Sequence, residues 1–148
     1  GAPLGPDAAP DTTNGTPVAA GQTPGEPATV EGLMELAVEH MTEDRPAAAR
    51  AVLERLIAEY PDDVVVPEAV YRIAETWFNQ ERWLTAVTEF QKVVDRYPRH
   101  ELASWAMLRQ GEAFDRRGAR GDAVLFWEGV VSRYPGTPAA EEAADLLE

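Results

Sequence analysis

The pair Tyr-Pro occurs three times, as Tyr60-Pro61, Tyr97-Pro98 and Tyr134-Pro135, with 37 residues separating each pair from the next. Proline has no amide hydrogen for a helix interior, and its ring pushes the preceding residue out of helical geometry. A fixed interval between such stops limits the chain to segments of equal length that each end in the same way. That pattern points to an internal repeat.

Other residues share the 37-residue register. Ala37, Ala74 and Gly111 coincide, as do Ala49, Ala86 and Ala123. Leu53, Phe90 and Trp127 coincide, and so do Leu56, Val93 and Val130. His40, Trp77 and Phe114 share a further large position. Within one copy the apolar spacing is helical. Val70, Ile73, Ala74 and Trp77 follow the i, i+3, i+4, i+7 pattern, and Ala86, Phe90, Val93, Val94 and Tyr97 resume it after the polar stretch Asn79-Gln80-Glu81-Arg82. The spacing predicts helix pairs over 31–43 and 46–60, 67–80 and 83–97, and 102–117 and 120–134. Small residues at 37, 74 and 111 let paired helices approach, and large ones at 53, 90 and 127 fill the space beside them. Each Tyr packs on the apolar side of its helix, with its hydroxyl expected to reach water. Thr137 is an expected N-cap with Pro138 in the first turn of a closing helix. Ala143, Leu146 and Leu147 of that helix are expected to cover the end of the third repeat.

Residues 1–29 differ from the rest. They hold six prolines and five glycines, with no lysine, arginine or aromatic residue. Such a segment buries too little apolar surface to offset its chain entropy, so it reads as a disordered linker. The chain opens on Gly1 rather than Met, as expected of a processed product or an excised piece. The folded part is expected over 30–148, with repeats at about 30–66, 67–103 and 104–137 and a capping helix over 138–148.

The register positions resemble the signature of the tetratricopeptide repeat (TPR) family. The family's signature places fall at Leu33, Leu36, Ala37, His40, Ala49, Leu53, Leu56 and Pro61 in the first copy. In the second they fall at Val70, Ile73, Ala74, Trp77, Ala86, Phe90, Val93 and Pro98. In the third they are Met107, Gln110, Gly111, Phe114, Ala123, Trp127, Val130 and Pro135. His40 and Gln110 are polar where the family prefers apolar residues. The period exceeds the family's usual ~34, with the extra residues expected in the loop after each proline. The resemblance implies an all-α fold, with three helix-turn-helix repeats in a right-handed superhelix.

Charge and composition restrict function. There are 26 acidic residues against 13 basic ones, for a net charge of −13. This balance argues against nucleic-acid backbones and anionic membrane surfaces as partners. With no cysteine, disulfide and thiolate chemistry are excluded. No run approaches the ~18 apolar residues of a membrane span. No catalytic constellation, zinc motif, phosphate-cradling loop or calcium loop is visible, so no enzyme activity, cofactor or metal is expected. His40 lies on a packing face, and His100 reads as a solvated loop residue.

The chemistry left is recognition. Carried over from the family, the positions facing the concave groove are Met34, Val38 and Met41, then Glu68, Tyr71, Glu75 and Phe78, then Trp105, Leu108, Glu112 and Asp115. Aromatic and Met anchors mixed with acids suit a protein partner, a peptide or helix with apolar anchors and basic flanks. Arg72 and Arg109 share one register place and could clamp a carboxylate. Pairing along the helix with Glu68, Glu75 or Glu112 is the preferred reading.

The long repeat ending in Tyr-Pro also resembles an envelope branch of the family. That branch includes the Tol–Pal-associated periplasmic coordinator of cell division (YbgF or CpoB) and the TPR lipoprotein of the outer-membrane β-barrel assembly machine. The resemblance implies a non-enzymatic scaffold in the periplasm or cell envelope of a Gram-negative bacterium. An adaptor in another bacterial machine (motility, secretion or regulation), with the cytoplasm as the other location, and an accessory domain of a larger enzyme are the alternatives. The acidic surface and capped end suggest a monomer.

Overall fold

The computed structural model describes residues 28–148. Among these, all regular structure is α-helix: α1 (Val30–Thr42), α2 (Pro46–Glu59), α3 (Val66–Asn79), α4 (Trp83–Arg96), α5 (Glu101–Arg116), α6 (Arg120–Arg133) and α7 (Pro138–Leu146). The linker reading of residues 1–29 lies, except for Ala28 and Thr29, outside the described residues. None of the helices is long and apolar enough to cross a membrane.

Each helix packs on its neighbours in sequence. The odd-numbered helices also meet one another, α3 touching α5 and α5 touching α7, whereas no comparable contact joins α2 to α4 or α4 to α6. The odd-numbered helices therefore form the inner layer of a curved stack, and the even-numbered ones the outer layer.

The tyrosines before proline leave the helix in nearly the same conformation each time: φ −132°, ψ 59° at Tyr60, −133°, 55° at Tyr97 and −127°, 53° at Tyr134. Each still donates its amide to the carbonyl four residues back, at Leu56, Val93 and Val130. The break is thus the restriction that proline imposes on its predecessor. Two of the three hydroxyls turn away from water. The Tyr60 hydroxyl donates to the Ala28 carbonyl and pins the entry of the chain, while the Tyr134 hydroxyl is buried.

The turn inside each pair repeats as well. Asp44 and Glu81 take positive φ (60° and 62°), and Gly118 takes the same place at 92°. Arg45, Arg82 and Ala119 then donate their amides to the carbonyls of His40, Trp77 and Phe114. Between repeats the extra length is spent unevenly. Residues 60–65 form a longer connection before α3, but before α5 the length goes into the helix, which has 16 residues against 14 in α3. Thr137 caps α7 as expected, its Oγ1 accepting from the Ala140 amide at 3.1 Å.

The two polar departures at signature positions have partners. His40 Nδ1 accepts from Arg45 Nε at 3.1 Å. Gln110, fully buried, donates from Nε2 to the Val87 carbonyl at 3.0 Å and to Gln91 Oε1 at 2.8 Å, tying α5 to α4. Arg50 makes the same kind of tie between α2 and α3. Its guanidinium lies 3.6 Å from the Trp77 ring centroid and donates to Thr76 Oγ1 at 3.0 Å and Gln80 Oε1 at 2.7 Å.

Inside each pair the core follows the small–large rule. Ala37 and Leu53, Ala74 and Phe90, Gly111 and Trp127 are all buried. The largest side chain faces the smallest residue. A Cβ on Gly111 would come within 3.0 Å of Trp127 Cε2 and closer still to Nε1 and Cδ1. The indole instead settles against the α5 backbone and donates from Nε1 to the Leu108 carbonyl at 3.3 Å. A glycine-to-alanine change inside a helix normally gains about 1 kcal/mol. Here overpacking reverses the sign: we predict that Gly111→Ala loses about 1–3 kcal/mol, and that adding Trp127→Phe recovers part of the loss. Urea denaturation of the two variants checks this, and a stabilised Gly111→Ala would contradict it.

Candidate functional site on the inner face of the stack

The inner layer presents α1, α3 and α5, which carry the residues expected to face a groove. The structure divides those residues into three groups.

The first group comes together in an open cleft. Glu68, Tyr71, Arg72 and Glu75 of α3 line a space of about 380 Å³ that is closed on its other side by His100, Glu101 and Leu102 at the start of α5 and by Val64. Tyr71 is held in place by Phe90, with ring centroids 5.2 Å apart in edge-to-face geometry.

The second group is accessible but apart from the cleft. Met34, Val38 and Met41 on α1 and Trp105 on α5 are half-buried, with Met34 and Trp105 leaning on the core. Met41 instead borders a small recess with Thr76 and Gln80. Glu112 pairs with Arg109 at 3.2 Å, and Asp115 is tied to Arg120 of α6 at 3.0 Å.

The third group corrects the sequence reading. Leu108 is only 1% exposed and Phe78 only 7%, so neither offers its side chain to a ligand. Leu108 belongs to the core that also takes in Ala139, Ala140 and Ala143 of α7, which packs on α5. Phe78 meets Trp83 edge-on at 5.0 Å, and the Arg109 guanidinium covers its ring at 4.2 Å. The arginines follow the preferred reading of pairing along the helix, in place of a carboxylate clamp. Arg72 bonds Glu68 at 2.9 Å and lies 3.8 Å from Glu75, and Arg109 is engaged by Glu112 and Phe78. Both guanidiniums are used along their own helices, at the three- and four-residue spacings that bring side chains together.

Val64, His100, Glu101 and Leu102 escaped the sequence reading. His100 was expected in solvent, but its Nδ1 caps α5 by accepting from the Leu102 amide at 3.0 Å. Asp63, its register mate, makes the equivalent bond to the Val65 amide at 2.9 Å. The signal was the capping residue Thr137, which stands 37 residues beyond His100.

The cleft displaces two titrations. Burial pushes the Glu75 carboxyl above the ordinary glutamate range; Arg72 and Arg109 oppose that shift and Glu68 adds to it. Burial, with Glu75 nearby, pushes the Tyr71 phenol up to about 12, opposed by Arg109.

Geometry of this kind defines a helical-repeat protein with a ligand-sized inner cleft. The tetratricopeptide-repeat family model matches residues 33–63, 68–100 and 105–137, and the chain belongs to that family. No curated protein matches the chain. Among solved structures it is similar to the N-terminal domain of stress-induced protein-1 (STI-1) from C. elegans, with TM-score 0.65 and 18% identity over 80% of this chain and 94% of that one. It is also similar to YrrB, described as a TPR protein with an unusual peptide-binding site, with TM-score 0.62 and 18% identity over 80% of this chain and 58% of that one. A third similarity is to the MamA protein, with TM-score 0.60 and 21% identity over 71% and 54%. At these identities the likeness establishes the fold, and the chain spans a little over half the length of YrrB and MamA.

The raised carboxyl and phenol fix the direction of two pH effects. The folded state holds the Glu75 proton more tightly than the unfolded state, so this term favours folding at low pH and is lost as pH rises through the raised value. Glu75→Gln removes the term. Its stability relative to the parent is therefore expected to improve as pH is raised from about 4 towards neutrality, which urea midpoints at stepped pH would show. A constant difference would contradict the burial. For Tyr71 the corresponding loss runs between the ordinary phenol value of about 10 and about 12.

Proposed function

We propose that the chain is a protein–protein interaction scaffold that binds a segment of a partner protein, a peptide or a helix, along its inner face. The observation that carries this reading is the open cleft between α3 and α5, where a half-exposed tyrosine and apolar residues stand beside carboxylates. A partner with apolar anchors and basic flanks complements that surface. The description of YrrB as having a peptide-binding site supports the reading by analogy of fold. No catalytic role, cofactor, nucleic acid or membrane insertion is part of it, and the working unit proposed is a monomer.

We also infer a place in the Gram-negative envelope, coordinating cell division with the Tol–Pal system or assisting outer-membrane assembly. Support comes from the 37-residue repeats ending in Tyr-Pro, preceded by the proline-rich segment, a combination that resembles the envelope branch of the family.

A photo-reactive side chain tests both parts when placed singly at Tyr71, at Trp105 or at Leu125, which is 64% exposed on the outer helix α6. The expected result is one shared adduct from Tyr71 and Trp105 in the envelope fraction, and none from Leu125. An adduct from Leu125 alone would contradict the inner-face reading. A shared adduct found only in the cytosol would contradict the localisation.

A further inference from the structure

The cleft between α3 and α5 is unbalanced in charge. Three carboxylates reach it, from Glu68, Glu75 and Glu101, against the guanidinium of Arg72 and that of Arg109, which stands close enough to Tyr71 and Glu75 to act on both. Arg72 is already committed to Glu68 at 2.9 Å, with Glu75 at 3.8 Å. His100 uses Nδ1 to accept the Leu102 amide, which leaves that ring nitrogen without a proton to offer. An arriving carboxylate would therefore meet three like charges and two cations already paired, Arg109 being held by Glu112 at 3.2 Å. An arriving cation would meet the reverse.

The walls suit a long side chain with a charged tip. Tyr71 and Leu102 are half-buried, each with apolar surface turned to the cleft. Val64 at the rim is 91% exposed, a valine left in water. Aliphatic stems of lysine and arginine pack along such surface while their heads find the acids.

We propose that this cleft is a subsite for a basic side chain of the partner, whose stem lies on Tyr71 and Leu102, whose head is held by Glu75 with Glu68 and Glu101, and whose apolar neighbour rests on Val64. The proposal rests on the inner-face reading above and adds the chemistry that the face selects. Glu75 carries the selectivity. It is the most enclosed of the three acids, and burial already raises the cost of its charge. A cation that displaces water there gains more than one meeting an exposed carboxylate, because a charge pair strengthens as the local dielectric falls.

The test uses the full chain and three nine-residue peptides, N-acetylated and C-amidated. All have leucine at alternate positions, with arginine, glutamine or glutamate between. Affinities are read by fluorescence anisotropy, and the site by backbone amide shifts of Tyr71 and Leu102. The arginine peptide is expected to bind most tightly and to shift both amides. Glu75→Gln, which keeps the shape of the side chain, is expected to weaken the arginine peptide about tenfold and so to remove most of its advantage over the glutamine peptide. Higher salt is expected to weaken the arginine peptide alone. Equal binding of the arginine and glutamine peptides, tightest binding of the glutamate peptide, or indifference of the arginine peptide to Glu75→Gln would overturn the cation subsite while leaving the inner face as a binding surface. If none of the three peptides shifted the amides of α1, α3 or α5, the subsite and the inner-face reading would fall together.

Discussion

The distance between the two helices of each repeat depends on one small residue. Ala37, Ala74 and Gly111 let the facing helix come close enough for Leu53, Phe90 and Trp127 to be buried. Cores are packed like crystals of small molecules, so volume added on one side must be removed from the other. The third repeat shows the limit of this exchange. An indole is accommodated only because its neighbour has no Cβ at all. The stacking of pairs into layers, and with it the existence of an inner face, rests on this spacing.

The inner face results from that packing and from local pairing of charge. Arg72 and Arg109 are neutralised along their own helices, and Arg109 also shields Phe78 from water. The surface that remains is acidic with apolar patches, open where α3 faces the start of α5, while the closing helix α7 leans on α5. The cleft lies between the second and third repeats. Ties such as Arg50 on Trp77 and Gln110 on the Val87 carbonyl hold successive repeats in a fixed relation. A cleft whose walls are tied in this way needs less ordering on binding than a loose one.

The helices were legible to within about two residues because proline marks each end and the apolar spacing marks each face. The sequence spacing also identified the small–large pairs and the preferred intrahelical pairing of the arginines. What it could not supply was non-local. Leu108 and Phe78 occupy groove positions by register, yet the burial of each depends on other helices: α7 beyond α5, and Trp83 and Arg109 beside α3. The positive φ of Asp44 and Glu81 was hidden because only the third copy, at Gly118, places glycine there. The cap made by His100 was missed because histidine is not among the usual capping residues, although its register mate Asp63 is.

The central claim is that binding belongs to the inner layer of helices. The most direct measurement is amide hydrogen exchange of the full chain with and without the partner protein recovered by cross-linking, resolved by peptide. Slowed exchange confined to α3, α5 and the connection over 60–65, with the exposed faces of α4 and α6 unchanged, is the predicted result. Protection centred on α4 and α6 around Leu84 and Leu125, with α3 and α5 unaffected, would contradict the account and move recognition to the outer face.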